Sequence, residues 1–167
     1  MRTDDFDFDL PEDRIALRPA SPRDSARLLR VTPGGRSDHV IRDLPRLLRP
    51  GDVLVMNDTR VIPAQLFGRK GTAAIEVTLH QRLGPSAWLA FVRNARRLKP
   101  GDRVDFGAGL AGIVVGKGDG GEVEWRFESE EPLEVALERA GTMPLPPYIA
   151  RRRAIDARDR VDYQTVY

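Results

Sequence analysis

The chain contains no cysteine. Disulfides, thiolate nucleophiles and Cys-ligated zinc are therefore excluded. Only two histidines occur, His39 and His80, far apart and without HxxxH-type spacing, and no carboxylate run forms a calcium loop. Neither sign of charge dominates. There are 27 basic and 25 acidic residues for a formal net charge of +2, and the sequence pI of about 9.3 overstates that excess. Such a balance permits nucleic-acid binding without arguing for it. Long apolar runs are missing too, and the start "MRTDDFDFDLPED" is acidic where a signal peptide is basic and then apolar. These absences lead us to expect a soluble cytoplasmic protein with no metal site.

What is present suits one ordinary domain or two small ones: 167 residues, 41% of them hydrophobic, enough for a packed core. "DDFDFDLP" reads as a short extended piece with Phe6 and Phe8 on one side. A strand is expected around Leu28 to Val31, followed by a hairpin turn in "TPGGRSD". "HVIRDLPRLLRPGD" suits a strand and then a short helix, capped by Asp43, with Pro45 in its first turn and Pro50-Gly51 at its end. A further strand is expected over Val53 to Met56.

From about Ile62 to Phe127 the texture changes. Six β-rich runs, "VIPAQLFGR", "AAIEVTLHQRL", "AWLAFVRNA", "DRVDFG", "LAGIVVG" and "EVEWRFE", alternate with turn residues. That spacing predicts a small antiparallel barrel or sandwich. A helix follows over Pro132 to Ala140, with Leu133, Ala136, Leu137 and Ala140 on one face and Gly141 as its C′ residue. "Met143-Pro144-Leu145-Pro146-Pro147-Tyr148-Ile149" reads as an extended connector, because its prolines remove donors. The segment from Arg151 onward is polar, with helix expected at its start.

Several segments invite a chemical reading. "GIVVGKGDGG" lacks the GxxxxGK[ST] spacing and leads into another strand, so it is a hairpin turn. His39 and His80 read as structural or rim residues. Arg151, Arg152 and Arg153, with Arg158 and Arg160 close behind, form a cluster that could contact phosphate or face solvent. Arg23 and Asp24 present a cation and an anion on a proline-flanked loop. The most unusual stretch is "VLVMNDTRVIP", apolar at both ends and polar in the middle. Asn57-Asp58-Thr59-Arg60 is either an Asx-type turn or a site at a strand end, and residue chemistry leaves the two even.

In order along nearly the whole chain, "DFDFDLPEDRIALRP", "PRDSARLL", "DLPRLLRPGDVLVMNDTRVIPAQLFG", "ARRLKPGDRVDFG", "GTMPLPPYI" and "DYQTVY" resemble the S-adenosylmethionine:tRNA ribosyltransferase-isomerase family of queuosine biosynthesis. Gln65 stands where that family often has arginine, and Ala73-Ala74 where it often has a glycine pair. Family chains continue well past "YQTVY", so the resemblance implies an N-terminal portion. The implied fold is mixed α and β: an incomplete larger α/β domain with an inserted small antiparallel β-barrel domain. Residues 1–61 would start the larger domain, 62–144 would form the insert with a short helix at its end, and 145–167 would return to the larger domain.

The resemblance further implies an enzyme that passes the ribosyl part of S-adenosylmethionine to 7-aminomethyl-7-deazaguanine at the tRNA wobble position. The product is epoxyqueuosine, and adenine and methionine leave. S-adenosylmethionine is then a substrate, with no cofactor, no metal and no membrane, and the full-length protein is expected to be a monomer. Within that frame Asp58 is the expected base and Arg60 the expected anion clamp. Asn57, Thr59, Arg23, Asp24, Tyr163, Gln164 and Tyr167 are candidate substrate-binding residues, and Arg151, Arg152 and Arg153 candidate RNA contacts. The competing reading is a non-catalytic RNA-binding β-barrel module.

Overall fold

The computed structural model describes residues 2–165. It divides into two compact units, one ending at Asn57 and the other beginning at Asp58.

The first unit is built from local hydrogen bonds. Strands β1 (Arg27–Thr32) and β2 (Gly35–Val40) pair antiparallel, and Thr32 facing Gly35 leaves Pro33-Gly34 as the tight turn. Gly35 takes φ +133, a conformation glycine adopts without steric cost. A short helix, α1 (Leu44–Leu47), follows with proline in its first turn. Asp43 precedes it, as expected, but does not cap it. Its carboxylate instead accepts the backward N–H of Val40 at 3.1 Å.

Two further expectations fail in this unit. Thr3–Phe6 forms a 3-10 turn rather than an extended piece, because the Asp5 carboxylate accepts the Arg2 N–H at 2.8 Å. Phe6 and Phe8 are both exposed. Val53 to Met56 is not a strand; Val53 is 84% and Val55 95% exposed. A strand exists only through a ladder partner, and among the described residues none pairs with this run. All the buried hydrophobic residues described lie at Ala64 or beyond, so the first unit has no core of its own.

The second unit is a closed six-stranded barrel in which all six β-rich runs become strands. They are β3 (Gln65–Lys70), β4 (Ala73–Arg82), β5 (Ala87–Arg93), β6 (Arg103–Gly107), β7 (Leu110–Lys117) and β8 (Glu122–Glu128). Their order around the barrel is β3-β4-β5-β8-β7-β6, each pair antiparallel. Alternation decides which side chains enter. Ile75, Val77 and Leu79 point in from β4, and Val123, Trp125 and Phe127 from β8. Trp125 is wholly buried and packs edge-on to Phe106 with ring centres 5.8 Å apart.

Closure needs close approach at the seam between β3 and β6, where Arg69 faces Asp105. A Cβ on Gly68 would lie 2.6 Å from a Phe106 ring carbon and 2.7 Å from the Asp105 carbonyl. Only glycine lets these strands meet there.

Helix α2 (Leu133–Ala140) lays Leu133, Ala136 and Leu137 on the barrel core, as its periodicity predicts. Gly141 follows it, but as an extended residue with φ −87, not a left-handed C′ glycine. The reason for glycine is again contact: a Cβ would sit 2.1 Å from the Pro63 carbonyl. Beyond it, Thr142 and Gln65 exchange backbone hydrogen bonds at 2.8 and 3.1 Å, tying the chain back to β3. Gln65 also donates its side-chain amide to Glu76 at 2.9 Å.

The connector over Met143–Ile149 is extended only at first. Helix α3 (Pro147–Ala150) begins at Pro147, because proline at a helix's first position lacks only an N–H that would be unbonded anyway. The segment from Arg151 is not helical at its start. Its helical turn, α4, lies later at Asp159–Asp162.

One connection cannot be a hairpin. β5 and β6 are not neighbours, so residues 94–102 must cross an end of the barrel. Asn94 turns the chain in a left-handed conformation, and Leu98 drops into the core at 1% exposure. Two lysines hold this crossing from opposite sides. Lys117 donates to the Leu98 carbonyl at 3.1 Å, and Lys70 to the Arg97 carbonyl at 3.2 Å and to the Asp102 carboxylate. The Lys70 bond and the Lys99 N–H hold the Asp102 carboxyl below its ordinary value of 3.8.

Gly68→Ala is expected to lower unfolding free energy by about 1–3 kcal/mol in urea titration through overpacking at the seam. Gly116→Ala, whose nearest neighbour would be a side-chain oxygen at 3.8 Å, should change it by less than about 0.5 kcal/mol. Asp102 adds a pH term. Its folded value is depressed, so its contribution is fully present above 3.8 and is lost as pH falls through the folded value. Acid-unfolding curves of Lys70→Met should lack that component.

Candidate functional site

Asp58, Thr59 and Arg60 open the second unit as an exposed, irregular strap, while Asn57 closes the first. The strap is anchored one residue later. The Val61 N–H donates to Gln164 Oε1 at 2.8 Å, and Gln164 Nε2 donates to the Val61 carbonyl at 3.1 Å. A primary amide offers one acceptor and donors side by side, so it pairs with both peptide groups of Val61 as a neighbouring strand would. The polar motif and the terminal "DYQTVY" motif, more than a hundred residues apart, thus meet through one side chain. Past Val61 the chain descends through Pro63 and Ala64 into the core.

Arg60 is held from the other side. Its Nη2 donates to Glu138 Oε1 at 3.2 Å, and the other oxygen of Glu138 accepts from Arg160 Nη1 at 2.9 Å. Arg160 Nη2 also donates to the carbonyls of Glu138 and Gly141, at 2.7 and 2.9 Å. A cation over the C-terminal carbonyls of α2 is favourable for the helix dipole. Earlier on the same helix, Glu134 pairs with Arg82 at 2.8 Å. A backbone hydrogen bond at the residue itself, and then Arg82, hold the Glu134 carboxyl below its ordinary range.

These ion pairs rim a groove of about 460 Å³ with an apolar floor of Ile62, Pro63, Trp88, Leu133 and Leu137. Its size falls within the range of small-molecule sites. Reasoning from sequence did not single out Glu134, Glu138 or Trp88, and it read Arg160 only as part of the arginine cluster, whereas its guanidinium is taken up by Glu138 and the end of α2. A signal was available: Glu134 and Glu138 are an i,i+4 like-charge pair, which is destabilising unless cations meet it.

The other candidates fall elsewhere. Arg23 and Asp24 lie in a 3-10 turn of the first unit, where Asp24 approaches Arg42 at 3.6 Å. Tyr163 is half-buried just after α4. Tyr167 lies outside the described residues. The arginine cluster divides. Arg151 and Arg152 are exposed, and Arg151 lines a hollow of about 540 Å³ with Glu76, Thr78, Arg93 and Leu145. Arg153 turns inward instead, donating twice to the wholly buried Asp159 at 2.9 and 2.5 Å. That pairing raises the Arg153 pKa further above its ordinary value. Its guanidinium serves the fold of the terminal segment. The two histidines are rim residues: His80 meets Glu122 at 3.0 Å and stacks on Phe91, and His39 bonds Ser37 at 2.9 Å.

Fold and site together define a small closed antiparallel barrel that carries an ion-rimmed groove and a polar strap secured by its own terminal segment. The family model described as queuosine biosynthesis protein matches residues 3–167, and the chain belongs to that family. It is 61% identical, over all of its own length and 49% of the relative's, to a protein from Rhizorhabdus wittichii named S-adenosylmethionine:tRNA ribosyltransferase-isomerase. A protein of the same name from Erythrobacter litoralis is also 61% identical, with 48% of it covered. A solved structure of S-adenosylmethionine tRNA ribosyltransferase from Thermotoga maritima matches at 31% identity and a TM-score of 0.42, over 88% of this chain and 52% of that one. The chain spans about half the length of the curated relatives it matches.

Gln164→Leu leaves both peptide groups of Val61 without their partner. It is expected to cost about 1–3 kcal/mol of stability, and the Val61 amide should lose protection in hydrogen-exchange measurements.

Proposed function

We propose that this chain contributes the strap and barrel of an S-adenosylmethionine:tRNA ribosyltransferase-isomerase. The observation that carries the reading is 61% identity over the whole chain to a protein of that name. The reaction moves the ribosyl part of S-adenosylmethionine onto the aminomethyl group of a 7-deazaguanine base in tRNA, yielding epoxyqueuosine, adenine and methionine. S-adenosylmethionine is consumed as a substrate. In this reading residues 1–61 and 145–167 belong to a larger α/β domain, and the barrel of residues 62–144 is its insert. The bare apolar run at Val53–Met56 supports that division, since four apolar residues without a ladder partner among the described residues are suited to a sheet completed by further chain.

The chemistry sets the roles. The sulfonium of the donor acidifies the adjacent C5′ hydrogen, and a positioned carboxylate can remove it. Asp58, exposed on the strap, is the base in this proposal. Arg60 next to it clamps an anionic group, with Glu138 keeping its guanidinium in place. Asn57 and Thr59 orient the donor by neutral hydrogen bonds, and Arg23, Asp24, Tyr163 and Tyr167 complete the substrate contacts. Gln164 acts by holding the strap. Arg151 and Arg152 contact the tRNA. The complete enzyme works as a cytoplasmic monomer. Among the described residues no helix is long and apolar enough to cross a membrane.

The test is adenine release in a chimera in which this chain replaces the matching half of the R. wittichii relative. Asp58→Asn should slow release by about 100-fold or more, the usual contribution of a general base. Normal release by that variant removes Asp58 from the role. Binding of tRNA without any adenine release in the unmutated chimera would favour a non-catalytic RNA-binding module.

A further inference from the structure

The crossing loop at the barrel's end has an electrostatic character that the fold does not require. The three connections that meet there, residues 69–72, 93–102 and 117–121, hold seven basic residues and only two acidic ones, in a chain whose net charge is +2. One of those acids, Asp102, is already neutralised by Lys70. Leu98 is buried while Arg96, Arg97 and Lys99 around it are exposed, so the plug that fixes the loop also turns its cations outward. Among the described residues no side-chain hydrogen bond or ion pair engages Arg96 or Arg97. Adjacent exposed cations repel one another, and the arrangement is relieved by a polyanion.

A second feature adjoins the loop. Arg93 and Asn94, which lead into it, line a hollow of about 640 Å³ with Phe67, Arg69, Glu76 and Asp105. Phe67 is half exposed on the outer face of β3, where a barrel buries nothing. An accessible ring beside guanidinium groups suits an unstacked base next to phosphates, the arrangement by which proteins hold single-stranded RNA. An acidic protein surface would match the arginines but has no need of the ring.

We propose that this end of the barrel binds RNA: phosphates on Arg96 and Arg97, and a base on Phe67. The proposal deepens the reading above, on which it rests, by placing the tRNA contact here rather than chiefly at Arg151 and Arg152.

The experiment measures binding of a short RNA stem–loop to the 167-residue chain across a salt series. Arg96→Gln/Arg97→Gln should weaken binding tenfold or more and reduce the slope of log affinity against log salt by about 1.4, the loss of two single-strand phosphate contacts. Phe67→Ala should weaken binding about fivefold or more with the slope unchanged, because stacking releases no counterions. The charge-matched control Arg30→Gln/Arg36→Gln, on the β1–β2 hairpin, should stay within twofold. Thermal midpoints, unchanged in all variants, exclude misfolding. Unaltered RNA affinity and slope in Arg96→Gln/Arg97→Gln overturn the inference while leaving an RNA partner in place. No RNA binding by the parent chain overturns it whatever the adenine-release assay returns. Equal displacement of RNA by polyglutamate at matched charge overturns it in favour of general anion adhesion.

Discussion

The closure of β3 onto β6 at Gly68 is the constraint on which the rest of the barrel unit depends. A six-stranded sheet left open would expose two edges and an apolar face. Closing it buries Trp125, Phe106 and Phe127 in one core and fixes which strands are neighbours. That strand order in turn forces residues 94–102 across the barrel end, where Leu98 becomes a plug and the flanking arginines turn to solvent. One backbone contact without a side chain therefore decides both the core and the charge distribution at the barrel's end.

The opposite dependence holds at the strap. No regular structure forms over Asn57-Asp58-Thr59-Arg60, and Arg60 and the following Val61 are held by residues distant in sequence. Gln164 supplies the hydrogen bonds of an absent strand to Val61, while Glu138 gathers Arg60 and Arg160. The ion pair is exposed, so its contribution to stability is small. Its value is orientation: two guanidinium groups on one carboxylate leave Arg60 restrained next to Asp58. The Gln164 clamp is half-buried and carries more of the energy, since its loss strands two peptide groups.

Much of the fold was legible because its signals are local. All six barrel strands were visible from alternation and turn residues, and α2 from the 3.6-residue spacing of Leu133, Ala136 and Leu137. The failures share a cause. Val53–Met56 looks like a strand by composition, but strand formation requires a partner that no local rule supplies. Gly141 looks like a left-handed helix cap, yet it is glycine because of Pro63, 78 residues away. At the site, the polar run was conspicuous in sequence, whereas Glu138 and Trp88 were not, and Arg160 showed only as one of an arginine cluster, because their importance arises only from adjacency. Arg153 looked like its two neighbours and is separated from them by the buried Asp159.

Sequence alone determined the strand periodicity, the absence of cysteine chemistry, the family, and the stretch where polar groups interrupt an apolar run. These follow from residue types at fixed short spacings, which every conformation of the chain shares. Tertiary structure alone decided the strand order, the glycine at the seam, the pairing of Val61 with Gln164, and the outward turn of Arg96 and Arg97. Each depends on the distance between residues remote along the chain, and that distance exists only once the barrel has closed.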